Sequence, residues 1–276
     1  MVIKLGRFLR KRAAVAAALY ILLLILAAVL ADKLSPHDPL KVFSDHVLES
    51  PSPQFLLGTD NLGRDIMSRL IYGTRVSLKV GLLAVGISAL TGSSLGLVAG
   101  YFGGWVDGLI MRIVDILLAI PGILLALIII ATLGPSTTNL ILAVGISGVP
   151  TYARLVRGTV LSAREREYVE AVRALGARGL RIALRHILPN VLAPITVLVS
   201  LGVGVAILST AGLSFIGLGP PPPTPEWGGM LADARTYLRD AWWFFTFPGI
   251  AIGATVLSAN LVGDALRDVL DPRLKH

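Results

Sequence analysis

Hydrophobic positions in this chain come in long unbroken blocks rather than in the short rhythm of a half-buried surface element. Six blocks stand out, at 13–31, 80–100, 113–133, 139–161, 191–215 and 244–263. A helix rises about 1.5 Å per residue, so about 20 residues cross the roughly 30 Å hydrocarbon core of a bilayer. The pattern predicts an all-α polytopic membrane protein with six transmembrane helices. Pro121, Pro150 and Pro248 fall within spans three, four and six, where a proline kinks a helix. Span four is the least regular, because Arg154 and Arg157 lie near its end, within reach of lipid headgroups.

Three polar stretches separate the blocks most clearly. Residues 32–75 open with the proline-rich turns SPHDP and SPSP and finish in DNLGRDIMSRLIYGTR. There Asp60 or Asn61 is expected to cap a short amphipathic helix with Leu62, Ile66, Leu70 and Ile71 on one side. Residues 216–243 hold GPPPPTPEWGG, which reads as stiff and non-helical, followed by Trp242 and Trp243, which suit a membrane interface. Residues 162–190 end in EAVRALGARGLRIALRHILPN, an unusually charged run for this chain.

Composition agrees with a membrane protein: 54% of the 276 residues are hydrophobic, 15% are charged, and the mean hydropathy is +0.76. The first apolar block, 19 residues long, exceeds the roughly 7–15 of a signal-peptide core, so an uncleaved span is expected although Val29-Leu30-Ala31 loosely resembles a cleavage site. The formal charge of +8 suggests nucleic acid or anionic lipid until the cations are located. With the N-terminus in the cytoplasm, one side carries Lys4, Arg7, Arg10, Lys11, Arg12, Arg112, the eight arginines from Arg154 to Arg185, and Arg267, Arg273 and Lys275. That side thus holds 17 of the 25 cations, and the positive-inside rule fixes the orientation. The charge then needs no nucleic acid to explain it. Both termini are expected to be cytoplasmic.

Several chemistries are poorly supported. There are no cysteines, so disulfides and thiolate metal sites are excluded. No GxxxxGK[ST] loop occurs, so the chain has no recognisable nucleotide cradle, and uphill movement would draw on a partner or an ion gradient. His37 and His46, beside Asp38 and Asp45, make a weak metal signal in a proline-rich loop. Ser214 sits in LSFIG, without the GxSxG frame of a nucleophile. Asp115 is the clearest intramembrane acid, expected to pair with Arg112 or Arg154 rather than to carry ions. The route for a solute is expected to be lined by small and hydroxyl residues. Gly92, Gly96 and Gly100 share one helix face and are expected to let a neighbouring helix, of this chain or of another subunit, approach closely.

In the charged run, a helix begun near Ala163 is expected to end at Gly176, with a second starting near Arg178. On the second, Arg178, Arg181 and Arg185 share one face and Leu180, Leu184, Ile187 and Leu188 the other, before Pro189. A basic hairpin held against anionic lipid accounts for the arginines. It does not account for the small corner of Ala171, Ala174 and Gly176 beside Glu170, which suits a groove on another protein.

EAVRALG, nine residues and HILP resemble the EAA loop of bacterial ABC-importer permeases, with matches at Glu170, Ala171, Gly176, Leu188 and Pro189. Val172 and His186 depart from that pattern. More widely, FLLGTDNLGRDIMSRLIYGTRVSL, AGYFGGWVDGLIMRIVDILLAIP, PTYARLVRG, LSFIGLG, WGGML and NLVGDALRDVLDPR are similar to the C-type permeases of dipeptide, oligopeptide and nickel importers. Thr210 stands where relatives often carry glutamate. The resemblance implies a first part, 1–75, with the N-terminus, first span and external segment, a five-helix permease domain at 76–265, and a cytoplasmic tail at 266–276. It also implies a B-type permease partner, two ATPase subunits holding ATP and Mg, and an external solute-binding protein. The chain itself would bind no cofactor and catalyse no covalent step. Short peptides are the first expectation for substrate, with nickel or another small solute as alternatives. A proton-coupled carrier and a non-transporting lipid-binding scaffold are rival classes.

Overall fold

The computed structural model describes residues 11–177 and 179–270. Lys4, Arg7, Arg10, Arg178, Arg273 and Lys275 lie outside these, as does most of the tail at 271–276. Among the described residues the secondary structure is helical, with no strand. The helices are α1 (Arg12–Val29), α2 (Ala31–Leu34), α3 (Ile66–Phe102), α4 (Gly104–Leu118), α5 (Gly122–Leu133), α6 (Thr137–Arg164), α7 (Glu167–Ala174), α8 (Leu180–Ile182), α9 (Leu188–Phe215), α10 (Trp227–Ala234) and α11 (Trp242–Leu270). Five of them are long and apolar enough to cross a membrane; α4 and α5 make a sixth, broken crossing, bent by 87°. The protein is a six-span helical bundle. One end, here the elbow end, carries 164–190; the other, the crown, carries 32–65 and 216–241.

The expected third span is thus two helices. Pro121 has no N–H to give the ladder, and it becomes the N-cap of α5 instead of a kink. Pro150 and Pro248, by contrast, remain inside continuous helices.

The bundle is organised around α3 and α6, which run in the same direction and make the most extensive helix contact. The glycine face decides the partner: it is a helix of this chain. A methyl at Gly92 would meet Tyr152 Cβ at 2.7 Å, one at Gly96 would meet the Arg157 amide nitrogen at 2.9 Å, and one at Gly100 would meet Val160 Cβ at 2.9 Å. From the other side Gly145 leaves room for Ile87, and Ser88 Oγ donates to the Gly145 carbonyl at 2.6 Å. In lipid, where water offers hydrogen-bonding groups no alternative, close backbone approach and such interhelical bonds do much of the holding. α9 closes the core against α3, with Gly81 admitting Ile207, and α11 packs beside α9. α1 is peripheral: Tyr20 Oη donates weakly to the Ala251 carbonyl at 3.5 Å, and Lys11 pairs with Asp268 at the elbow end.

The crown corrects two expectations. Asp65, not Asp60 or Asn61, caps the helix, accepting the Ser68 amide at 3.0 Å, and that helix is the start of the 37-residue α3. Asp60 instead turns back on its own loop, taking the amides of Leu62 and Arg64 at 2.9 Å each. The segment 216–243 is not wholly non-helical either, since Glu226 caps α10 through the amides of Gly228 (3.0 Å) and Gly229 (2.8 Å). Trp227 is buried and donates to the Leu70 carbonyl at 3.1 Å, in space left by Gly73. Trp243 is buried as well, so Trp242 alone is exposed as an interfacial residue would be. The rings of His37 and His46 pack on Phe43 and Phe55, and no group of three candidate ligands converges on a metal position among the described residues.

Gly96→Val tests the α3–α6 contact. Overpacking there is expected to cost about 1–3 kcal/mol, read as a lower thermal midpoint in detergent. Gly86→Ala, whose added methyl meets nothing within 4 Å, should not lower the midpoint and should raise it slightly, since alanine favours a helix interior over glycine.

Candidate functional site

Two features carry the functional geometry: an elbow at one end of the bundle and a cavity within it. The elbow begins where α6 stops at Arg164; Glu165 and Arg166 break the helix and α7 restarts at Glu167, later than the sequence suggests. Gly176, at φ +85°, and Gly179, at φ +52°, turn the chain after α7, in the left-handed region that glycine tolerates. The second arm is three residues of α8 followed by a π-helical stretch, Ala183–Ile187, so the two arms are not matched helices. Its buried face is Ile182, Ala183 and Ile187; Leu184 is exposed, contrary to the expected stripe, because the π-turn shifts which residues point inward.

The elbow is anchored by one face and free on the other. Val169, Ile182 and Ile187 join Val156, Val160, Ala163 and Val191 in a single apolar cluster at the feet of α6 and α9. The Asn190 side-chain amide donates to Tyr168 Oη at 3.2 Å and to the His186 carbonyl at 2.8 Å. On the free side, Glu170, Ala171, Ala174, Gly176 and Pro189 are exposed, while Leu188 is partly buried. Leu175 beside them is 86% exposed, an extreme value for a large apolar residue. The helix pattern of the sequence does not separate it from its neighbours.

Asp115 accepts from Arg154 Nη2 at 2.7 Å, and each side chain is 59% exposed; Arg112 is exposed, with no ion pair among the described residues. A second pair was not foreseen: Arg157 donates from Nε and Nη2 to the two Asp107 oxygens at 2.5 and 2.6 Å. Both pairs tie α4 to α6. Arg164 completes the strap by donating to the carbonyls of Gly100 (3.0 Å) and Tyr101 (2.8 Å), where α3 ends.

The cavity, about 360 Å³, lies between α3, α5, α6 and α9. Ser88, Ser147, Thr151, Tyr152 and Ser209 supply hydroxyls to a wall that is otherwise small and apolar, and no charged residue lines it. Tyr152 Oη donates to the Leu198 carbonyl at 3.2 Å, fixing its ring between α6 and α9. Such a wall offers a solute weak, replaceable hydrogen bonds and no fixed charge. Thr210 is buried and donates to the Ile207 carbonyl at 2.9 Å, so it supplies no free polar group there.

Residues 92–276 match the family model described as "Binding-protein-dependent transport system inner membrane component", and residues 4–51 match the N-terminal transmembrane domain of oligopeptide transport permease C. The chain belongs to this permease family. It is 48% identical over 270 residues to the glutathione transport system permease protein GsiD of Pectobacterium atrosepticum, covering 98% of this chain and 90% of that one. It is 46% identical over 275 residues to the di/tripeptide transport system permease protein DppC of Pseudomonas aeruginosa, covering 98% and 91%. It is 47% identical over 266 residues to the dipeptide transport system permease protein DppC of Alkalihalophilus pseudofirmus, covering 96% and 88%.

In this permease the crown holds a buried acid, Glu226, with no ion pair among the described residues. Burial pushes the Glu226 carboxyl above its ordinary 4.5, while the amides of Gly228 and Gly229 pull the other way. The folded chain therefore holds this proton more tightly than the unfolded chain. Stability present at low pH is lost as pH rises from about 4.5 through the folded value. Glu226→Gln, which keeps one acceptor oxygen, is expected to flatten that part of the pH dependence of the thermal midpoint. An unchanged slope would remove Glu226 as its source.

Proposed function

We propose that this permease is one transmembrane subunit of an ATP-binding-cassette importer, and that it passes short peptides across the cytoplasmic membrane without covalent chemistry of its own. The relatives named for glutathione, dipeptide and di/tripeptide transport support the substrate class, since the similarity runs through nearly the whole chain. Its partners on this reading are a homologous B-type permease, two ATPase subunits that hold ATP and Mg, and a solute-binding protein. The excess of Lys and Arg in the segments at the elbow end supports an elbow and termini that face the cytoplasm, with the crown outside.

One observation carries the coupling role: the elbow is packed by Val169, Ile182 and Ile187, yet presents Glu170, Ala171, Ala174, Leu175 and Gly176 outward, exposed among the described residues. A Leu at 86% exposure next to a small-residue corner fits a knob seated in a groove of an ATPase subunit. The acid, glycine and proline of the EAA-like frame would set that knob's position, and the strap of Arg154, Arg157 and Arg164 would pass its movement to α3 and α4.

Leu175→Asp touches no described packing contact, so insertion and expression should hold. Peptide-stimulated ATP hydrolysis and uptake in vesicles should fall at least about tenfold, the loss expected when an apolar anchor is replaced by a charge. Gly176→Val, forced toward φ +85°, adds about 1–2 kcal/mol of local strain and should uncouple hydrolysis from uptake. Normal peptide uptake in both variants would overturn the coupling role. Uptake that persists without any ATPase subunit and collapses with the proton gradient would favour an ion-coupled carrier.

A further inference from the structure

Two arginines in the crown are buried where burial is costly. The side chains of Arg64 and Arg69 are only 6% and 4% exposed, and both residues line a pocket of about 250 Å³. They share one carboxylate: Arg64 Nε donates to Asp60 Oδ2 at 2.7 Å, and Arg69 Nε stands 3.4 Å from the same oxygen without hydrogen-bond geometry. Asp60 has little left to give, since its other oxygen takes two backbone amides. Arg69 Nη1 donates to the Pro39 carbonyl at 3.2 Å. The nearest second acid, Asp233, lies 3.9 Å from Arg64 Nη2, beyond hydrogen-bond distance, on a half-exposed side chain at the rim.

A guanidinium has five N–H donors. Among the described residues, one donor of Arg64 and one of Arg69 make hydrogen bonds. Arg69 Nε is a buried donor without an acceptor, which is costly, and a planar pair of acceptor oxygens suits the guanidinium fork best. A carboxylate meets that need. Apart from Asp233, the rest of the pocket wall is neutral, with Pro135, Pro220, Pro221 and Pro222 among its residues.

The pocket is also in the right place. Pro135 follows the crown end of α5 and Ser214 lies near the crown end of α9, while Ile123 and Ser209 of the same helices line the hydroxyl cavity nearer the elbow. A ligand held by its carboxylate in this pocket therefore sits on the crown side of that cavity.

We propose that Arg64 and Arg69 form a receiving site for the free carboxylate of the incoming peptide. The inference rests on the peptide-import reading and on the crown facing the side of entry. Asp233 acts as a weak stand-in at the rim, displaced when the ligand arrives. Burial pushes its carboxyl up in spite of the two arginines, which fits an acid poorly held as an ion.

The test uses the assembled transporter in lipid nanodiscs, without binding protein or nucleotide, probed with dialanine and with its C-terminal amide by ligand-observed NMR. The free acid should bind about tenfold or more tightly than the amide, the difference expected for charge-assisted hydrogen bonds. Arg64→Gln should erase that preference. Asp233→Asn, at the half-exposed rim and so less exposed to folding failure, should strengthen binding of the acid. Equal binding of acid and amide, or a preference unmoved by Asp233→Asn, would overturn the proposal. So would variants that change affinity for the empty binding protein but leave the acid-to-amide ratio unchanged, which would make the pocket a socket for a partner's acidic side chain. If the complex imports no peptide at all, the import reading fails separately, and the acid-to-amide comparison still decides this one.

Discussion

Backbone meeting backbone along α3 and α6 is the constraint on which the remaining structure depends. Two parallel helices in lipid gain nothing from hiding apolar side chains, because the surrounding chains are equally apolar. They hold only where they fit, and the fit comes from missing side chains at Gly92, Gly96, Gly100, Gly145 and Gly148. With that pair fixed, Ser88 and Tyr152 reach their acceptors, α9 has a surface to close against, and the cavity has two of its walls.

The same pair links the ends of the molecule. α3 enters the crown at Asp65 and ends at the strap made by Arg164; α6 runs down to the elbow. Ion pairs gather at the two ends, those of α4 with α6 toward the elbow and those of Asp60 with the arginines in the crown, while the cavity between them is lined by neutral residues. Neutral walls suit passage; the ion pairs of α4 with α6 hold shape.

Much of this was legible in the sequence, and the reasons are local. Block length gave the spans, the glycine spacing gave a contact face, and the Glu170–Gly176 frame gave an exposed corner. What was not legible depended on contacts between distant residues. Asp65 and Asp60 are equivalent candidates by local chemistry, and only the return of Asp60 onto Arg64 assigns the cap to the other. The burial of Trp243 depends on Thr59 and Gly58, which no local pattern connects to it. The π-turn before Pro189 reverses the expected exposure of Leu184, and the sharp break at Pro121 exceeds what a proline alone announces.

That break has a mechanical consequence. α4 is held to α6 at two points eight residues apart on α4, Asp107 and Asp115, and two points fix a rod against turning on its partner. The change of direction along the broken crossing is taken up by the short joint of residues 119–121, immediately before the part of α5 that borders the cavity. The arrangement has the shape of a bell crank: one arm is pinned by ion pairs to the helix that ends in the elbow, the other forms a wall of the cavity, and the corner is three residues long.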